Sequence, residues 1–376
     1  MEGAAKPKGL AKIWREIKRS LKKILHRRTT QHMDEKNAEK PQLHRTPNGE
    51  HKHLCCEILH SHLNFEDDCL RPNCCGPSYN DAPKWSYSGE ELSTKKLAEY
   101  LNGISKMIVS ERCGKCPFAY YDSSPQKSSL RDFKLKHVLI NHHRWWCNSK
   151  CTYCGFIDKH SRPAVVNKPY PVQPAISCLL ASDFLDRKCY FTWAGGESTI
   201  LPEFDTVVRM IHEKGYAQCM NTNGIVFSEA WDYVLANDLR TFFNISVDAG
   251  TAETYRKIKG VDYFDQVWEN IKKYIASHQW KSHLQLHVKY IVMEGNQEKV
   301  ELERFINKCL EANAHFIEYS VDSRAIENGI PEETIKAVAY LRALAKKNNF
   351  VCKNAVTPFN VSVAQMLDNY PLPKIS

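Results

Sequence analysis

The stretch HHRWWCNSKCTYCGF, His142–Phe156, sets Cys147, Cys151 and Cys154 within eight residues and follows directly on HVLINH, a run that reads as a strand. The intervals Cys147-x3-Cys151-x2-Cys154 let a loop wrap three thiolates around one centre without a regular helix. Iron–sulfur clusters are held by cysteine thiolates, usually one for each iron of a four-iron cube. Three ligands leave one iron open, and an open position is what separates a reactive metal site from a closed one, as at catalytic zinc. Zinc on the same thiolates with His142 or His143 as fourth ligand is the competing reading, although closed zinc sites usually come as two separated ligand pairs.

Working outward from the loop, the 376 residues are 43% hydrophobic, enough for one large domain and a smaller one. No apolar run reaches the length of a membrane span, and the N-terminus lacks the apolar core of a signal peptide, so a reducing, cytoplasmic setting is expected. In such a compartment the clustering of 15 cysteines points to metal ligation before disulfides. The scattered Cys178, Cys189, Cys219, Cys309 and Cys352 read as small core or surface residues.

The net charge of +9 is uneven: residues 1–28 hold ten Lys or Arg against Glu2 and Glu16. There Leu10, Ile13, Trp14, Ile17, Leu21, Ile24 and Leu25 recur at helical spacing, which describes a basic amphipathic helix. Attachment to an anionic membrane surface or a partner protein, and a solvated tail, are the two readings of it, with an organellar transit peptide as a third. Because the rest of the chain is nearly neutral, specific nucleic-acid binding is not expected. Residues 29–53 are polar and aperiodic and read as a linker.

From Leu135 strand-like and helix-like segments alternate. Strands are expected in HVLINH, CYFTWAG, YAQCMNTNG, TFFNISVDAG, HLQLHVKYIVM and HFIEYSV, with helices over 175–187, 201–214, 228–237, 264–277 and 297–313 and a last one over 332–347. Gly215 supplies a helix stop and Ser228 an N-cap. Six β-then-α units imply a parallel sheet compatible with an incomplete barrel, whose active residues gather at the C-terminal strand ends. The expected fold is therefore α/β, with a parallel-sheet core over 135–325 and a helical extension over 326–376.

With Tyr153 in the aromatic place, the loop resembles the C-x3-C-x-aromatic-C signature of the radical S-adenosylmethionine (radical SAM) superfamily, which follows the first strand of a partial (β/α)6 barrel. The resemblance implies a [4Fe–4S] cluster on Cys147, Cys151 and Cys154 whose open iron chelates SAM. It also implies one-electron cleavage of SAM to a 5′-deoxyadenosyl radical that abstracts hydrogen from a substrate. Gly195, Gly196 and Glu197 resemble the family's GGE motif, which receives the SAM ammonium, and Ser246 and Asp248 its polar pair for the ribose hydroxyls. Glycines let a backbone approach a ligand closely, and a carboxylate accepts a charge-assisted hydrogen bond. The substrate class stays open among peptides or proteins, sugars and small molecules, and an external electron donor is implied. A non-catalytic zinc-binding scaffold is the alternative.

Upstream, residues 54–130 carry Cys55/Cys56, Cys74/Cys75 and Cys113-x2-Cys116, four stations able to close a second cluster. They resemble the auxiliary SPASM or twitch module of radical SAM enzymes, but placed before the barrel. Cys56, Cys75, Cys113 and Cys116 are the expected ligands of a second iron–sulfur cluster, and a zinc knuckle on the same stations is the competing reading.

Overall fold

Apolar residues at alternate positions, such as Phe191 and Trp193, Phe243 and Ile245, and Val288, Tyr290 and Val292, let a strand present one face to helices. The computed structural model describes residues 53–72, 84–105, 113, 119–122, 133–155, 169–278, 285–356 and 360–375. Its N-terminal elements are β1 (His53–Cys56), α1 (Glu57–Ser61), β2 (His62–Phe65), β3 (Cys69–Pro72), β4 (Trp85–Ser86), α2 (Thr94–Ser105) and β5 (Ala119–Asp122). Then come β6 (Leu135–Ile140), α3 (Gln173–Leu180), β7 (Leu185–Trp193), α4 (Phe204–Glu213), β8 (Ala217–Thr222), α5 (Glu229–Asn237), β9 (Phe242–Ser246), α6 (Ala252–Lys259) and α7 (Phe264–His278). The chain ends in β10 (Leu286–Val292), α8 (Lys299–Glu311), β11 (Phe316–Val321), α9 (Ser323–Asn328), α10 (Glu332–Lys347), β12 (Val351–Asn354) and α11 (Val361–Asn369).

Ten strands form one sheet in the order β12-β11-β10-β9-β8-β7-β6-β2-β3-β4, while β1 and β5 pair separately as an antiparallel ribbon. From β12 through β2 every neighbouring pair is parallel, and the β2–β3 and β3–β4 pairs are antiparallel. The α/β class and the six successive parallel strands are those expected from the sequence. Two further parallel strands flank them: β2 lies beside β6, and β12 extends the last edge.

One face of the sheet is apolar and carries the core. Trp193 meets Phe204 of α4 at 4.9 Å between ring centroids, Phe243 meets Tyr274 of α7 at 4.9 Å, and Tyr290 meets Phe305 of α8 at 4.6 Å. The opposite face is polar. There Asn244 donates to Asn221 at 3.1 Å, His137 Nε2 lies 2.9 Å from Thr192 Oγ1, and Glu318 is approached by His287 at 3.5 Å and Lys353 at 3.7 Å.

Four expectations are revised. Strands β2, β3 and β4, expected within the upstream module over 54–130, join the main sheet. The helix expected over 175–187 stops at Leu180, because Leu185 already pairs with Leu135 and opens β7. The extension over 326–376 is not purely helical, since it adds β12 to the sheet. Finally α6 had no counterpart, for its buried residues Tyr255, Ile258 and Lys259 make too narrow an apolar stripe to announce a helix; Thr251 caps its start and Gly260, at φ 67°, its end. Ser228 caps α5 as expected, accepting from Trp231 N.

Of the remaining expectations, the basic helix over 1–28, most of the linker over 29–53, and Cys75 and Cys116 lie outside the described residues.

Candidate active site

All the motif residues lie at or just beyond the C-terminal ends of parallel strands: the cysteine loop after β6, Gly195–Glu197 after β7, Asn223 after β8, and Ser246 and Asp248 at and after β9. Cys147, Cys151 and Cys154 are free thiols, each partly buried. Burial pushes the Cys147 thiol up to about 12 and raises that of Cys151, where the Lys259 ammonium pulls the other way. The donor set is sulfur-only and soft, which suits iron–sulfur ligation. Among the described residues no three His, Cys, Asp or Glu side chains gather as ligands of a single metal ion.

The two glycines serve the loop before any ligand. A Cβ on Gly196 would stand 2.1 Å from Trp146 O and 2.2 Å from His143 O, and Glu197 N donates to Trp146 O at 2.8 Å. Gly195 holds φ 99°, where a Cβ would strike Asn141 Oδ1 at 2.1 Å. The expected close approach is therefore to the cysteine loop itself.

Glu197 is 1% exposed. Its Oε1 accepts from Thr199 N, Thr199 Oγ1 and Thr222 Oγ1, and its Oε2 from Asn223 N at 2.7 Å. Burial raises its carboxyl against these donors. The side chain expected to receive an ammonium is thus directed at the ends of β7 and β8.

Asp248, the residue expected at the ribose hydroxyls, is held by three protein donors. It is fully buried; Oδ1 accepts from Ile291 N at 2.7 Å, and Oδ2 accepts from Tyr153 OH and Lys259 Nζ, each at 2.5 Å. Of the proposed pair only Ser246 stays partly exposed. Tyr153 likewise turns its hydroxyl inward, and burial raises that phenol well above its usual range.

His143 Nε2 sits 2.9 Å from Ser198 Oγ, and His142 packs against Tyr170 at 4.9 Å; burial holds both imidazoles neutral, His142 at about 3. Cys56 and Cys113 are buried, and Cys69 lies on β3 within the main sheet, its thiol pushed up to about 12 by burial.

Three residues of the site carried no sequence signal of their role. Asn223, at the end of the strand-like run YAQCMNTNG, gives its side-chain amide to Asn148 Oδ1 at 2.6 Å and Ser149 Oγ at 3.1 Å. Asn296 donates to Asp248 O and Ile291 O, each at 2.9 Å, and Lys259 reaches the loop from α6. Side-chain amides and lysines are common on loops and helices, so only the fold marks these three out.

Residues 145–309 match the family model described as the Radical SAM superfamily. These residues, just under half of the chain, carry a radical SAM domain, which runs from the start of the cysteine loop to Cys309 within α8. The family's [4Fe–4S] cluster and SAM are accordingly the implied cofactors, and the three thiols at the rim fit the first of them.

The protein of Saccharolobus islandicus named "Probable GTP 3′,8-cyclase" is 31% identical over 131 residues, 34% of this chain and 40% of its own. Its namesake in Saccharolobus solfataricus is 37% identical over 134 residues, with the same shares. The chain thus spans about 40% of the length of these relatives. Among solved structures, Streptococcus suis SuiB bound to precursor peptide SuiA aligns with TM-score 0.47 and 13% identity over 62% of this chain and 52% of that one. Native anSMEcpe with bound AdoMet aligns with TM-score 0.44 and 15% identity over 58% and 63%.

Proposed function

We propose that the chain cleaves S-adenosylmethionine reductively and uses the product to abstract hydrogen from a polar substrate. The observation that carries this reading is the docking of a three-thiol loop onto Gly195–Glu197 at the C-terminal rim of a parallel sheet. Cys147, Cys151 and Cys154 would hold a [4Fe–4S] cluster, which would supply the one electron that reductive cleavage of the sulfonium consumes.

The chain's own residues do the positioning. Gly196 and Glu197 set the start of the loop against β7, Asn223 joins its middle to β8, and Ser246 offers a partly exposed hydroxyl at the end of β9. Below the rim the sheet's polar face presents Thr192, Asn221, Asn244, Lys289 and Glu318, hydrogen-bonding groups of both polarities. This lining favours a substrate rich in hydroxyl, amide or anionic groups over an apolar one. Nucleotides, sugars and peptides all satisfy it, and the name of the matched cyclases supports the first.

The same reading includes a second iron–sulfur cluster on Cys56, Cys75, Cys113 and Cys116, supported by the burial of Cys56 and Cys113. It includes an external electron donor, a cytoplasmic setting and a basic segment over 1–28 that reaches an anionic membrane surface or partner. Among the described residues no helix is long and apolar enough to cross a membrane.

The test is anaerobic purification and reconstitution, iron and sulfide analysis, and a dithionite-driven assay for 5′-deoxyadenosine. Iron and sulfide with deoxyadenosine formation are expected, and Cys151→Ala should abolish the product. Zinc alone with no deoxyadenosine would replace this reading by a metal-binding scaffold.

A further inference from the structure

The C-terminal end of α6 lies against the second half of the cysteine loop. Lys150 N donates to Lys259 O at 2.8 Å and Thr152 N to Ile258 O at 2.9 Å, two backbone rungs between segments about a hundred residues apart. Gly260 closes the helix at φ 67°, and a Cβ there would stand 2.9 Å from both Lys150 Cβ and Lys150 O, so the two backbones leave no room for a side chain.

The Lys259 side chain completes the contact. It is 1% exposed, and its ammonium donates to Tyr153 OH at 2.8 Å and to Asp248 Oδ2 at 2.5 Å. Tyr153 lies between Cys151 and Cys154, and its hydroxyl donates to the same carboxylate oxygen. Asp248 is itself pinned, its backbone carbonyl by Asn296 and its Oδ1 by Ile291 N. A buried ion pair is a poor device for raising stability, because desolvation offsets the attraction. It is a good device for fixing one geometry, because every alternative leaves a bare buried charge.

We propose that Lys259 is a positioning residue for the cysteine loop: through Tyr153 and Asp248 it locks the segment from Cys151 to Cys154, and it places a fixed positive charge beside the thiolate-bound cluster. Its ammonium stands 5.3 Å from the centre of the Tyr153 ring, one residue from Cys154. The charge effect rests on the iron–sulfur reading proposed above, whereas the lock rests on the geometry alone.

Full-length wild-type chain is compared with Lys259→Met, Lys259→Arg and Tyr153→Phe. Before iron is added, amide exchange in the peptide over 150–154 should quicken about tenfold in Lys259→Met, less in Tyr153→Phe, and be restored in part by Lys259→Arg. After anaerobic reconstitution, EPR-monitored redox titration should give a more negative cluster potential in Lys259→Met and a near wild-type one in Lys259→Arg. Unchanged exchange overturns the lock, and an unchanged potential overturns the role of the charge. If Lys259→Met does not fold, Tyr153→Phe, which keeps the ion pair, decides the lock by the same exchange measurement. A wild-type chain that takes up no iron sinks the iron–sulfur reading and with it the role of the charge, while exchange still decides the lock.

Discussion

The side-chain nitrogen of Asn223 lies 3.8 Å from Cys147 Sγ and donates to it, tying the end of β8 to the first thiol of the loop. Hydrogen bonds to cluster sulfurs draw off electron density and tune the potential. Asn223→Asp keeps the acceptor that Ile225 N uses at 3.0 Å but loses the donor to Cys147, Asn148 and Ser149. Its reconstituted cluster should be harder to reduce, which EPR-monitored titration reads directly; a potential equal to wild type would show the contact to be incidental.

Glu197 gathers four protein donors while almost fully buried. In Glu197→Gln an amide N–H replaces one acceptor oxygen, so at least one buried donor loses its partner at a cost of about 1–3 kcal/mol. A lower Tm should accompany lost deoxyadenosine formation. An unchanged Tm with lost activity would instead assign the carboxylate to ligand binding alone.

Two alanine substitutions on either side of the loop should behave oppositely. Gly196→Ala drives a methyl into the carbonyls of His143 and Trp146, both backbone atoms that cannot rotate aside. It should displace the loop, lower iron uptake at that site and destabilise by about 1–3 kcal/mol. Gly155→Ala meets nothing within 4 Å among the described residues and should reconstitute like wild type. Iron content per chain distinguishes the pair.

Glu318, at the far side of the sheet, supplies a pH dependence. Burial alone would raise its carboxyl, but His287, Lys353 and Lys289 together bring it below the usual range. A depressed carboxyl contributes stability above its unfolded pKa and loses it as pH falls through the folded value. The Tm difference between wild type and Glu318→Gln should therefore be largest near about pH 7 and shrink towards about pH 3. A difference constant with pH would mean that packing, not charge, sets it.

Spacing and period were enough for some of this protein. Cys147-x3-Cys151-x2-Cys154 after a strand, Gly195–Glu197 after the next, and six alternating runs are local patterns, and local patterns survive in one dimension. What these residues hold was decided only by the fold. Gly196 meets the carbonyls of His143 and Trp146, Asp248 faces Tyr153 and Lys259 instead of solvent, and β2 enters the main sheet beside β6. Each of these pairs residues far apart in the chain. Whether a carboxylate keeps its lone pairs for a ligand depends on which donors the packed strands bring within 3 Å of it, a distance no spacing along the backbone encodes.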